Sequence, residues 1–464
     1  MTMQPAALVP EIVLLGGALI VLLTGSFLPR RRLGWVRAGT LAALGASGVS
    51  TIVTLGEPAR TVFAGTYTID TATDAARLIS VIATALVILL AGDELTGHVR
   101  QAEICSLLLL ATLGTVILAG AGDLLLVITG FLLASIPLYA LIGLTRTPAA
   151  AEAALKTYFY GSLFGIIVMV GVVALYGLGG STSYTELATS LGTAPRGPLI
   201  VATVALLGGL MFKAGAVPGH YWVPDASQGS SAFAAAFLTT VPKIGALVAA
   251  YRIVLMLPAS AHASHLIGVL AVTSMTLGNL AAFGQDDPRR LLGWSTVSQV
   301  GYLLVPVAVA GRSEFALPSL LIYLAGYAVT NLTAFAVIAA LPQRRALSDY
   351  AGLAATRPWL TGSLIVSLLG LVGTPPTAVF IGKLAVATSA WDAGAPWLTI
   401  ALLVNSLLSL TYYLRWITPL LRTAAPPHAA IRTWGARVAV GAAGATLVLG
   451  IFSAGLWQLF TLPS

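Results

Sequence analysis

Charge and sulfur are what this sequence has least of. Of its 464 residues only 9% are Asp, Glu, Lys or Arg, and Cys105 is the single cysteine. A soluble domain carries about 25% charged residues, so the polar surface here is too small to coat a water-soluble particle of this size. One cysteine excludes a disulfide scaffold. There is also no CxxC, no GxxxxGK[ST], no HExxH and no GxGxxG after a strand. Flavin, iron-sulfur, nucleotide and zinc chemistry therefore lack a carrier motif. The five histidines, His98, His220, His262, His265 and His428, fall mostly in connecting segments. His262 and His265 have i, i+3 spacing but no carboxylate or cysteine beside them, and no metal site is expected. The formal net charge of +8 is spread through short loops; it argues for a topology signal and against a nucleic-acid partner.

What the chain has in abundance is apolar length. Residues of the AVILMFWYC set make up 58%, and 48 glycines raise the share to about two thirds, against ~45–50% in soluble domains. The mean hydropathy is +0.93. Apolar runs long enough to cross a bilayer lie near 8–28, 38–55, 75–91, 104–121, 124–144, 156–178, 197–217, 231–257, 264–283, 291–311, 315–341, 358–391, 397–421 and 436–460. The reading is an all-α polytopic membrane protein of about fourteen transmembrane helices, one membrane domain over 1–464 with no soluble insertion. The 358–391 run is too long for one straight helix and contains Gly373-Thr374-Pro375-Pro376. Two prolines remove donors there, so a broken helix is expected. The first span is followed, not preceded, by basic residues, the reverse of a cleaved signal, and reads as a retained helix. Segments 56–74 and 179–196 read as surface loops.

Arginine sets the expected orientation. Fifteen of the 20 arginines fall at ends or loops after odd-numbered spans and five on the other side. The positive-inside rule then places both termini on the outer side of a bacterial plasma membrane.

The four lysines behave differently from the arginines. Lys156, Lys213, Lys243 and Lys383 all sit in or at the edge of apolar spans. A charged lysine at mid-membrane costs about 2.5–3.5 kcal/mol on insertion scales, so such residues face a partner or a water cavity and mark a pathway. Lysine suits proton handling because its pKa falls readily on burial, whereas arginine stays charged. Snorkelling to the interface is the competing explanation; it fits Lys156, at the start of its span, and Lys213, four residues before the end of its span, better than Lys243 or Lys383.

Around two of these lysines runs Phe212-Lys213-Ala214-Gly215-Ala216-Val217-Pro218-Gly219-His220-Tyr221-Trp222-Val223-Pro224-Asp225-Ala226-Ser227-Gln228-Gly229, followed by Ala236-Phe237-Leu238-Thr239-Thr240-Val241-Pro242-Lys243-Ile244-Gly245. This resembles the signatures FKxxAVPxHxWxPDxxQG and AFLxTVPKI of the N subunits of proton-pumping NADH-quinone oxidoreductase, respiratory complex I. Pro10-Glu11, Gly278-Asn279-Leu280, Arg290 to Thr296, Ser298 to Tyr302, and Gly373 to Lys383 extend the likeness along nearly the whole chain.

The resemblance implies an antiporter-like fold of two inverted five-helix repeats, 104–257 and 264–421, each with a broken helix, flanked by 1–91 and 436–464. It implies a hydrated proton path through Lys213, Lys243 and Lys383, with Lys156 as a further member. His220, Asp225 and Gln299 would be supporting polar groups, and Pro242, Pro375 and Pro376 hinge positions. It implies no cofactor in this chain, with NADH, FMN, iron-sulfur clusters and quinone handled by partner subunits, and M-, L- and K-type membrane subunits as neighbours in the bilayer. Two positions depart from the family pattern. Leu132 stands where the family has a glutamate, in Gly130-Phe131-Leu132-Leu133-Ala134-Ser135-Ile136-Pro137, and Gln299 replaces a histidine. Glutamine can hydrogen-bond but cannot titrate. A cation/proton antiporter subunit of the Mrp type, and a non-conducting structural member of the membrane arm, remain as alternative readings.

Overall fold

The computed structural model describes residues 4–422 and 430–460; His428 lies outside them. Its helices follow from uninterrupted apolar runs closed by specific caps. The chain opens with α1 (Val9–Phe27), α2 (Gly34–Thr54), α3 (Thr71–Leu90), the single turn α4 (Gly92–Leu95) and α5 (Gln101–Ala119). It continues through α6 (Leu124–Ile142), α7 (Pro148–Gly179), the short α8 (Tyr184–Ser190), α9 (Arg196–Ala214), α10 (Trp222–Gly229) and α11 (Ala232–Met256). The second half holds α12 (Ala263–Ala282), α13 (Pro288–Ala308), α14 (Ala316–Ala340), the turn α15 (Leu353–Thr356), α16 (Pro358–Val372), α17 (Ala378–Asp392), α18 (Pro396–Leu420), α19 (Thr433–Ile451) and α20 (Ser453–Phe460).

Thirteen of the described helical segments are long and apolar enough to cross a membrane. The α16–α17 pair supplies the fourteenth crossing as a broken helix, as the two prolines predict. Three expectations need adjustment. The 156–178 span begins eight residues earlier: Thr147 caps α7 by accepting from the Ala150 N–H, and Pro148 occupies its first turn, where a missing N–H costs nothing. The 436–460 run is α19 followed by a separate short helix, α20. The 56–74 segment contains a small antiparallel hairpin, β1 (Arg60–Val62) and β2 (Tyr67–Ile69), before α3 begins at Thr71.

Burial separates the helices into two classes. The apolar windows of α11 and α13 are 94% buried and that of α14 is 89% buried, whereas those of α1 and α2 are 28% buried. So α11, α13 and α14 form the centre of the bundle, and α1 and α2 face outward along much of their length. The N-terminal helix is nevertheless fastened to the bundle. Arg77 of α3, 1% exposed, pairs with Glu11 at 2.7 Å and Asp74 at 2.9 Å, and the Tyr67 hydroxyl donates to Glu11 at 2.6 Å. Within the apolar interior such a pair must be complete, because removing one partner leaves the other charge uncompensated.

Candidate functional site

Two helix breaks organise the buried polar groups. The first separates α9 from α10. Gly215 takes φ +79° there, and a Cβ at that position would lie 2.7 Å from Lys243 Nζ and 2.8 Å from Val223. Glycine is required both for the left-handed conformation and for the close approach of the lysine. Three of the carbonyls at the end of α9 have partners. Met211 O accepts from the N–H groups of Gly215 and Ala216, Phe212 O accepts from Trp222 Nε1 at 3.0 Å, and Ala214 O accepts from Lys243 Nζ at 2.9 Å. At membrane depth an unsatisfied carbonyl costs several kcal/mol, so a break survives only with such partners.

The second break separates α16 from α17. Gly373 takes φ +91°, and a Cβ there would meet the Lys383 side chain at 2.9 Å. Leu369 O accepts from Gly373 and Thr374, Leu371 O from Gln299 Nε2 at 2.8 Å and Lys383 Nζ at 3.2 Å, and Val372 O from Lys383 Nζ at 2.9 Å. Ser406 of α18 lies 3.1 Å from the same nitrogen.

Lys213, Lys243 and Lys383 are 1%, 0% and 5% exposed. Among the described residues none of them pairs with a carboxylate. Each is held by neutral groups instead. Lys213 Nζ donates to Ser135 Oγ at 2.8 Å, and its nitrogen stands 5.7 Å from the centre of the Phe131 ring. Lys243 lies 5.5 Å from the Trp222 ring, and Lys383 4.0 Å from the Tyr302 ring. Aromatic faces attract a cation without fixing a negative charge beside it, so the environment accommodates the ammonium but does not lock it. Leu132 is 36% exposed on α6, and Ser135, one turn later, meets Lys213. Asp123 is engaged elsewhere, accepting from Leu125 N at 2.7 Å and Thr182 Oγ1 at 2.6 Å.

Between Lys243 and Lys383 the interior carries a row of neutral polar side chains. Asn331 Nδ2 donates to Thr239 Oγ1 at 2.9 Å and Thr240 Oγ1 at 3.0 Å. The Tyr327 hydroxyl lies 2.9 Å from Thr239 O and 3.1 Å from Thr296 Oγ1. The Tyr323 hydroxyl donates to Gln299 Oε1 at 2.6 Å, and Gln299 passes a hydrogen bond to Leu371 O, the carbonyl that Lys383 also contacts. Where consecutive groups are not bonded, the next one is about one turn along the same helix: Thr239 to Lys243 on α11, Thr296 to Gln299 on α13, Tyr327 to Tyr323 on α14. The stripe Tyr323, Tyr327, Asn331, at four-residue spacing, is a periodic signal in the sequence itself. It is easily missed there, because neutral polar residues break an apolar run far less than a charge does.

The remaining expected residues lie apart from this row or beside it. Lys156, 45% exposed in its side chain, pairs with Glu152 at 2.6 Å and with Asp225 at 3.1 Å. Asp225 also accepts from Arg290 at 2.6 Å. His220 is buried, its ring 4.2 Å from that of Tyr221 and 5.7 Å from that of Trp294. Pro242 sits inside α11 directly before Lys243, and Pro375 and Pro376 lie between α16 and α17. His262 meets Arg196, and among the described residues no group of three or more His, Cys, Asp or Glu is placed to hold a metal.

This arrangement matches known proteins along its length. Residues 121–409 match the family described as NADH:quinone oxidoreductase/Mrp antiporter, TM. The chain is 54% identical to NADH-quinone oxidoreductase subunit N of Mycobacterium sp. (strain JLS), covering 99% of both chains. It is 50% identical to subunit N 1 of Streptomyces griseus, covering 97% of this chain and 96% of that one. Among solved structures it superposes on a chain of respiratory complex I from Thermus thermophilus with a TM-score of 0.84 at 29% identity, covering 98% of this chain and 100% of that one. A chain of the Mrp complex from Dietzia gives a TM-score of 0.86 at 23% identity, covering 98% and 96%. The fold is thus common to both assemblies, and full-length sequence identity is what separates them. The chain belongs to the subunit N family of NADH-quinone oxidoreductase, the proton-translocating membrane-arm subunits of respiratory complex I.

Proposed function

We propose that protons cross this subunit through the buried row that begins at Lys213 and Lys243, passes Thr239, Asn331, Tyr327, Tyr323 and Gln299, and reaches Lys383. The observation that carries the reading is the neutral company of the three lysines. Each nitrogen sits on carbonyl or hydroxyl oxygens with no carboxylate to hold its proton. Asn331 Oδ1 is buried without a hydrogen-bond partner among the described residues, and a buried polar atom of that kind is a point at which water joins a path. Lys156, with Asp225 beside it, is the surface end of the route, and His220 is a polar neighbour of the first break. Pro242, Pro375 and Pro376 are positions where the backbone gives.

In this reading the five crossings from α5 to α11 and the five from α12 to α18 are the two inverted repeats, 104–257 and 264–421, each with its broken helix fourth in order. Segments 1–91 and 436–464 flank them. The chain carries no redox group. NADH, FMN, iron-sulfur clusters and quinone belong to partner subunits, and M-, L- and K-type subunits are its membrane neighbours. The arginine bias puts both termini on the outer side of the plasma membrane.

The test is pumping per electron in vesicles that hold the whole complex. Lys243→Met and Lys383→Met remove a titratable amine while keeping an unbranched side chain. Pumping falls in both with assembly intact, and arginine at either position fails as well because it does not release its proton. A non-conducting spacer, the reading that Leu132 and Gln299 favour, leaves pumping unchanged in both variants.

A further inference from the structure

A second polar feature lies outside the lysine row. A cavity of about 280 Å³ opens over the N-terminus of α11, lined by Arg289, Arg344, Arg345 and Arg432 together with Ser230 and Ser231. Four arginines line it, and the one carboxylate in the lining, Glu94, is already paired with Arg432 at 2.9 Å. Nearby acids are turned to other work. Asp349 accepts from the backbone N–H groups of Arg345 and Ala346, and Asp287 caps α13 while lying 3.6 Å from Arg289. Arg289 and Arg344 donate to the backbone carbonyls of Ser230 and Asp349, at 3.0 Å and 2.6 Å. The Arg345 side chain has no hydrogen bond or ion pair among the described residues. Arg344 is 92% buried, its exposure being 8%, so its charge is held in the wall without a carboxylate partner.

The chemistry of the cavity identifies its ligand class. Arginine does not titrate and repels cations, so a ring of four is unsuited to a proton mouth or a metal. Planar guanidinium forks match the oxygens of a phosphate. The 25-residue helix α11 points its N-terminal end at the same space, adding the positive end of a helix dipole. The lining holds no aromatic ring on which a base could stack. The arginine-rich loops that frame the cavity mark the membrane-water boundary, where basic pockets between transmembrane helices bind anionic head groups.

We propose that this cavity is a binding site for a phosphate group without a base, supplied either by the head group of an anionic phospholipid or by free phosphate. The site is separate from the lysine row, since Ser231 and Lys243 are twelve residues apart on α11, about 18 Å at 1.5 Å per residue.

The experiment uses the intact complex and reads phenylglyoxal modification of Arg345 by peptide mass, with Arg100 as internal control. Three media are compared at constant ionic strength: phosphatidylcholine bilayers, phosphatidylcholine bilayers with inorganic phosphate, and bilayers containing phosphatidylglycerol. Modification of Arg345 slows at least about threefold, the protection that mass action gives once the probe exceeds about twice its Kd, while Arg100 is unaffected. Protection by phosphatidylglycerol alone assigns a lipid head group, and protection by inorganic phosphate assigns the free ion; both uphold the site. The protection is lost in R344Q, and in R432Q should R344Q fail to assemble. Equal Arg345 rates in all three media, or protection that persists in these variants, overturns the proposal.

Discussion

The two helix breaks solve one physical problem with different hands. At the first, the last carbonyl of α9 is capped from outside: Lys243 reaches Ala214 O from α11. At the second, the cap comes from within: Lys383, on the second half of the broken helix, closes back on Leu371 and Val372 of the first half, helped by Gln299 of α13. The first break also brings a second lysine, Lys213, next to Ala214. A change in the protonation of Lys243 therefore alters a contact between two helices, whereas a change at Lys383 alters a contact between two halves of one. On the proposed route, the first break would link neighbouring helices and the second the two halves of one helix.

The largest effect expected from breaking this comparison is at the glycines. Gly215→Ala forces a side chain into the left-handed region, at ~1–2 kcal/mol. It also places a Cβ against Lys243 Nζ itself, 2.7 Å away, so the bond to Ala214 O is lost and pumping per electron falls to near background. Gly373→Ala carries the same backbone cost, but its Cβ presses on Lys383 Cδ at 2.9 Å, partway along a flexible stem, leaving the nitrogen its three acceptors. A partial loss is expected there, measured in the same vesicles. Equal losses in the two variants would erase the distinction between an outside and an inside cap.

Gln299→Leu comes next. It removes the acceptor of the Tyr323 hydroxyl and one of the two donors to Leu371 O, at about 1–3 kcal/mol for the groups left unpaired. A lower denaturation midpoint of the solubilised complex and a severalfold drop in pumping are the expected outcomes. Unchanged pumping in Gln299→Leu would take Gln299 out of the row. The smallest effect is at Leu132→Glu. Ser135 already holds Lys213, and position 132 is partly exposed, so the added carboxylate competes with an existing contact. Little change in pumping per electron is expected, and a marked fall would mean that the ammonium had been trapped by its new counter-ion.

Much of this is legible in the amino-acid sequence, for particular reasons. Lysine is so scarce that three of four falling inside apolar runs stand out, and Pro375-Pro376 announces the second break by chemistry that no helix absorbs quietly. The first break is implied only by resemblance. Its second half, α10, is eight residues long, too short for any apolar window, and Pro218 and Gly219 fall just past an apolar run that ends near 217. Lys156 marks the edge of its apolar run because the alanines after Pro148 are barely apolar; the extra two turns of α7 carry it to a half-exposed ion-paired position. Which carbonyls the lysines cap is not legible at all, because it depends on which helices meet at the two breaks and not on any local pattern.

The most direct test separates the two tasks assigned to one side chain. Lys383→Gln keeps a donor for Leu371 O or Val372 O but removes the group that carries a proton. The measurement is protons moved per electron by the reconstituted complex, alongside subunit content by mass. If Lys383 carries protons, the variant shows full assembly, wild-type electron transfer capacity in uncoupled vesicles, and a clear loss of proton yield. An unchanged proton yield in Lys383→Gln would contradict that role, leaving the lysine as a cap and nothing more.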